Sequence, residues 1–181
     1  SHPDTTMLET VVESIRAQLP RAEIVIAFDG VRPGMEHKTA DYEEHILRVT
    51  RLCANWHNVV PVILDHWGHQ ANGFRAGLEL VTTPLLLFVE HDTPIVGDID
   101  WPGLCAVIQS GEVNVVRLHH ETQIGEYHAH MMLDPVERLY GTTDDHPGVP
   151  LVRTLQWSQR PHLAPTALYR ERVMPYFGRE S

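Results

Sequence analysis

Two cysteines in 181 residues, Cys53 and Cys105, are too few and too far apart to staple a fold. They read as reduced core thiols, and the expected compartment is cytoplasmic. Basic residues are scarce as well: 14 Lys and Arg stand against 24 Asp and Glu, for a formal net charge of −10. That deficit argues against a nucleic-acid partner, whose phosphates need clustered cations. Long apolar runs are missing. The longest, around residues 84–89, is far too short to cross a bilayer, so no transmembrane segment is expected. Peripheral association with a membrane stays open. The N-terminal residues show no basic, apolar and small-residue succession of the signal-peptide kind. No internal repeat or low-complexity stretch occurs. What is present, 43% apolar and 21% charged residues, is the composition of a folded domain. A single domain over residues 1–181 is long enough to bury one substantial core.

The order of elements is α/β. Thr6 and Glu9 have the spacing of a capping box, and Met7, Leu8, Val11, Val12 and Ile15 follow on one helical face until Pro20. Residues 24–28 are apolar throughout and rich in β-branched side chains, as a strand covered on both faces must be. Tyr42, Ile46, Val49 and Cys53 recur at helical spacing. Residues 59–64 read as a second strand, with Pro61 placing it near an edge. Phe74, Leu78 and Val81 mark a third helix, and residues 85–89 a third strand. Strands alternating with helices predict a mostly parallel sheet between two helical layers. A sheet of this type ordinarily opens on a strand, yet this sequence opens on a helix, so the first strand is expected upstream of residue 1. Further on the rhythm loosens. We expect a helix at 101–108, strands at 113–118, 127–133 and 151–157, a loop at 141–150 and a helix at 167–174.

Ligands of open parallel sheets bind beyond the carboxyl ends of the strands. Reading past each of the first three strands gives Asp29-Gly30, Asp65-His66 and Glu90-His91-Asp92. Three strands thus deliver acids to one rim. In extended backbone Glu90 and Asp92 point the same way. Paired carboxylates suit a hard divalent ion, Mn²⁺ or Mg²⁺, that keeps positions open for phosphate oxygens.

The segments 23–30, then Gly73-Phe74-Arg75-Ala76-Gly77-Leu78, then 85–92 together resemble the inverting family 2 glycosyltransferases of the GT-A fold. The resemblance covers about the first hundred residues. It implies a three-layer α/β/α sandwich, with residues 1–100 as a nucleotide-sugar-binding half and 101–181 as an acceptor-binding half. It implies that Asp29, with Gly30, contacts the nucleotide base. Glu90-His91-Asp92 takes the place of the family's Asp-x-Asp motif: Asp92 is the direct metal ligand, while Glu90 lies near the ribose and the metal. Arg75 stands where the family often has Asn, beside the donor. A later histidine often completes such a metal site, and His162 is the candidate. In the same segment Trp157 is a candidate sugar-stacking surface and Arg160 a diphosphate partner. An inverting transfer needs a base, and Asp144 or Asp145, in the loop at 141–150, is placed for it. Arg117 and His119 alternate at a strand tip and are candidate acceptor contacts.

The expected activity is metal-dependent transfer of a hexosyl group from a nucleoside diphosphate sugar to an acceptor hydroxyl. Three alternatives are carried beside it: a non-catalytic nucleotide- or carbohydrate-binding module of the same fold, a nucleotidyltransferase, and a zinc protein built on His119, His120, His128 and His130.

Overall fold

The computed structural model describes residues 4–119, 130, 132, 133, 149, 151–154 and 160–177. It is mixed α/β and divides into two compact units, one of Ser1–Pro84 with Thr166–Ser181 and one of Leu85–Pro165.

In the first unit α1 (Thr6–Gln18) buries Val11, Val12 and Ile15 as its spacing predicts, but Met7 is 57% exposed and lies off that face. The capping also differs from expectation. Thr5 is the N-cap and makes no side-chain capping bond, and in place of a Thr6–Glu9 box Asp4 just before it accepts at Oδ1 from the Thr6 amide at 2.9 Å and the Thr6 hydroxyl at 2.6 Å. Next come β1 (Ile24–Phe28), α2 (Thr39–Asn55), β2 (Val59–Ile63) and α3 (His69–Leu80). β1 and β2 pair in parallel, from Ile24 opposite Val59 to Phe28 opposite Ile63. The flanking bonds Ile24 N to Asn58 O and Leu64 N to Phe28 O turn the even-numbered amides of β2 toward β1. Pro61 therefore faces the other side of β2, where its missing N–H breaks no ladder bond.

Helices cover the pair. Val49 and Cys53 of α2 bury against Phe28 and Val59, with Leu8 of α1 and Ile46 beside them. On α3, Gly73 and Gly77 come next to Ala27 and Val25: a Cβ on either would lie 3.9 and 3.6 Å from those side chains. Small residues one helical turn apart let helix and strand approach closely. The C-terminal segment, α5 (Thr166–Leu168) running into a π-turn at Tyr169–Val173, clasps α3. Arg170 donates to the carbonyls of Leu78 and Val81 at the end of α3, and Tyr169 packs on Phe74 with ring centroids 4.8 Å apart.

Arg16 ties the opposite end of this unit. Its guanidinium donates to the carbonyls of Pro20, Ala22, His57 and Asn58, joining the turns that lead into β1 and β2. Charge-assisted bonds of this sort are stronger than neutral ones, and truncation strands several acceptors at once. Arg16→Ala is expected to lower stability by about 2 kcal/mol. Urea unfolding of the variant checks this, and Arg16→Lys should recover only part of the loss because one ammonium cannot span the four carbonyls.

The second unit is antiparallel, which the expectation of a mostly parallel sheet did not include. β3 (Leu85–Phe88) and β4 (Val116–Arg117) flank β5 (His162–Pro165) in the order β3-β5-β4. β4 is shorter than the strand expected at 113–118, and β5 was not expected at all. Met132 and Thr154 form an isolated antiparallel bridge within the two strands expected at 127–133 and 151–157, most of which lie outside the described residues. α4 (Trp101–Gln109) begins where Asp100 Oδ1 accepts from the Gly103 amide at 3.0 Å and Pro102 occupies the first turn, a standard start. Its Leu104, Val107 and Ile108 pack with Val116, Val149 and Leu163.

Candidate functional site

Each unit presents part of the expected chemistry. In the first, the loops that leave β1 and β2 at their carboxyl ends are locked together. Asp29 Oδ1 accepts from the Gly30 amide at 2.9 Å and from the Gly68 amide at 2.6 Å. The Gly30 amide also reaches the His66 carbonyl at 3.1 Å, and the Tyr42 hydroxyl donates to the Asp29 carbonyl at 2.6 Å. Burial, and then the charge of Asp29, raise the Tyr42 phenol above its ordinary value. Gly30 is required here for space: an added Cβ would lie 2.2 Å from the His66 carbonyl carbon and 2.5 Å from the Trp67 nitrogen. The carboxylate of Asp29 thus organises this rim. Asp65 and His66 are exposed and hydrogen-bonded to each other, and the imidazole holds the carboxyl below its usual range.

Arg75 points its bonds elsewhere. It donates to Asn72 Oδ1 at 2.6 Å and to the carbonyls of Met174 and Phe177 at 3.4 and 3.3 Å. In this arrangement its guanidinium holds the C-terminal segment to α3.

In the second unit the register collects several of the expected residues at one end of the antiparallel sheet. Phe88, His162 and Arg117 form a row across β3, β5 and β4. Glu90 follows β3, Arg160 precedes β5, and His119 follows β4, where Leu118 N donates to Pro161 O at 2.8 Å. Burial, and then the like charge of Arg160, lower the Arg117 guanidinium, which stays cationic at neutral pH. Arg117 and Arg160 are therefore electrostatic neighbours.

Glu90 to Thr93 is a turn rather than extended chain. The Thr93 amide donates to the Glu90 carbonyl at 3.2 Å, and the Glu90 amide donates to the Thr93 hydroxyl at 3.1 Å. The alternation that would send Glu90 and Asp92 the same way does not apply in a turn, so that reasoning is corrected. Glu90 is half-buried and Asp92 exposed. Glu90 and Asp92 carry hard oxygen donors, the ligand class of ions such as Mg²⁺. Among the described residues no group of three or more His, Cys, Asp and Glu is arranged to hold a metal.

His162 is 1% exposed, in the middle strand, stacked on Phe88 with centroids 5.1 Å apart. Its Nδ1 donates to the Arg160 carbonyl at 2.7 Å, so the proton sits on that nitrogen. Burial pulls the imidazole below its ordinary value, opposed in part by that bond. The unfolded chain consequently takes up the proton first as pH falls. The stability His162 contributes is whole above pH ~6.5 and declines as the pH drops below it toward the folded value. His162→Phe should flatten this part of the acid limb, with a lower plateau because the Arg160 carbonyl loses its donor; urea midpoints from pH 7.5 to 5 measure both.

Asp144, Asp145 and Trp157 lie outside the described residues, as do His120 and His128 of the zinc alternative. Sequence reasoning overlooked Arg32 and Trp67. Trp67 is 39% exposed, the Arg32 guanidinium stands 5.9 Å from its ring centroid, and the His69 ring forms a T-shaped pair with it at 5.5 Å between centroids. The available signal was a large aromatic inside a strand-to-helix turn, Asp65-His66-Trp67-Gly68. Compared with protein-family models, curated proteins and solved structures, the chain matches none.

Proposed function

We propose that this chain is a glycosyltransferase of the GT-A type that uses Mn²⁺ or Mg²⁺ to move a sugar from a nucleoside diphosphate to an acceptor hydroxyl. The observation that carries the reading is the charge set at one end of the β3-β5-β4 sheet. Glu90, with Asp92 two residues on, provides anionic oxygens for a cation, while Arg160 and Arg117 provide two cations for phosphate. Guanidinium groups are suited to bind a diphosphate through paired hydrogen bonds. A divalent ion bound by Asp92 and Glu90 supplies Lewis-acid neutralisation of the leaving diphosphate.

The other roles follow residue by residue. Asp29 and Gly30 support the nucleoside end through the rigid rim they build. Arg117 and His119, with Trp157, are assigned to the acceptor, and Asp144 or Asp145 to removal of its hydroxyl proton. The three-layer sandwich and the cytoplasmic setting belong to the same proposal. Among the described residues no helix is long and apolar enough to cross a membrane.

The test is a panel of uridine, guanosine, cytidine and adenosine diphosphate sugars, assayed for release of nucleoside diphosphate with Mn²⁺, with Mg²⁺ and with a chelator. The reading requires metal-dependent release from at least one donor, accelerated by an acceptor. A cation-dependent nucleotide binder that releases nothing would instead be the non-catalytic module.

A further inference from the structure

We propose that Trp67 and Arg32 form a stacking platform that takes the flat base of a nucleotide, a contact made by neither Asp29 nor Gly30. The inference deepens the nucleotide-sugar reading and rests on it.

Four observations converge on these two side chains. Trp67 is left 39% exposed at the carboxyl end of the β1–β2 pair, where parallel strands present ligands. The Arg32 guanidinium stands 5.9 Å from the ring centroid, within the range of a cation–π contact. Next, the loop that carries Trp67 is fixed on both sides of it. Gly30 N holds the His66 carbonyl and Asp29 Oδ1 holds the Gly68 amide, so the ring is displayed from a rigid base and little ordering is left to do on binding.

Third, His69 has a φ of +57°, the left-handed region that a non-glycine residue keeps only where its surroundings impose it. The ring of that residue and the indole form a T-shaped pair, with an interplanar angle of 81° and centroids 5.5 Å apart. Finally, a flat ring can enter between the two side chains after a small movement of Arg32. A ring held between indole and guanidinium needs about 7 Å, two van der Waals separations of ~3.5 Å. The present distance is 5.9 Å, and Arg32 is exposed on a flexible stem that can lift by the difference. Indole and guanidinium planes both stack on bases without regard to their hydrogen-bonding edges.

The experiment is calorimetric titration of the full chain, in Mn²⁺, with uridine, guanosine, cytidine and adenosine diphosphates. Inorganic pyrophosphate and ribose 5-phosphate serve as base-free probes. For the diphosphate that binds wild type best, Trp67→Ala should weaken affinity about tenfold or more. Trp67→Phe should stay within about threefold of wild type, and Arg32→Ala should fall between the two. Pyrophosphate should bind wild type and Trp67→Ala alike. Unchanged thermal midpoints establish that the variants fold. If Trp67→Ala binds the nucleoside diphosphate as tightly as wild type, the platform is wrong and the nucleotide reading survives. If no nucleoside diphosphate binds wild type, both fall. Equal weakening of pyrophosphate and nucleotide by Trp67→Ala would also overturn the platform, because the loss would not involve the base.

Discussion

Asp92→Ala is expected to abolish metal-dependent nucleotide binding and sugar release while leaving the fold intact. The side chain is exposed on the turn from Glu90 to Thr93 and makes no hydrogen bond among the described residues. Removing it therefore leaves no buried group without a partner, and stability should stay within about 0.5 kcal/mol of wild type. The functional loss should be large because a carboxylate on a divalent ion is not replaced by water without a fall in affinity. Turnover is expected to drop about a hundred- to a thousandfold, the size seen when one well-placed electrostatic partner of a reacting group is removed. Asp92→Asn should be nearly as damaging, since an amide oxygen lacks the charge that holds the ion. Donor hydrolysis with varied Mn²⁺, beside a thermal melt of each variant, reads both halves of the expectation.

The largest effect on folding is expected from Gly30→Ala. The obstacle is not backbone freedom but three main-chain atoms, the His66 carbonyl carbon and oxygen and the Trp67 nitrogen, all within 2.5 Å of where a Cβ would sit. Main chain held in place by β2 and by α3 cannot rotate aside as a side chain could. Overpacking at such a point should cost about 3 kcal/mol. It also forces apart the two loops that Asp29 joins, so nucleotide affinity should fall together with stability. Equilibrium unfolding in urea measures the first and titration with nucleoside diphosphate the second. Gly34→Ala is a useful contrast, because nothing lies within 4 Å of a Cβ there and only its φ of +85° opposes the change.

Much of the first unit could be read from the chain because its signals are local. Ile24 to Phe28 is apolar on both faces; α2 covers one, and α3 approaches the other, where Ala27 stays exposed. Val49 and Cys53 stand at helical spacing and are buried at 0% and 4% exposure. Pro61 correctly marks the outer side of β2. The acids Asp29, Asp65 and Glu90 do follow their strands within two residues, but β3 belongs to the antiparallel sheet and not to the β1–β2 pair, so the expectation of three acids on one rim of a single parallel sheet is corrected. What the chain concealed was nonlocal. β5 is only four residues, His162-Leu163-Ala164-Pro165, with a polar residue at one end and a proline at the other. No period can be seen in so short a run, and its role as the middle strand depends on partners about 75 and 45 residues away. The same blindness hid the burial of His162, which in sequence looks like a loop residue after Arg160-Pro161. The Glu90 turn escaped because a single threonine hydroxyl, exchanging bonds with the Glu90 main chain, decides it. Trp67 was overlooked because an exposed aromatic is indistinguishable in sequence from a core one.

Calorimetric titration of the wild-type chain with uridine and guanosine diphosphates, first in Mn²⁺ and then in excess chelator, tests the account most directly. It predicts micromolar or tighter binding in Mn²⁺ to at least one of them and a loss of tenfold or more when the ion is removed, the mark of a cation shared between Asp92 and the diphosphate. Equal affinity with and without the ion, or no binding in either condition, would contradict it.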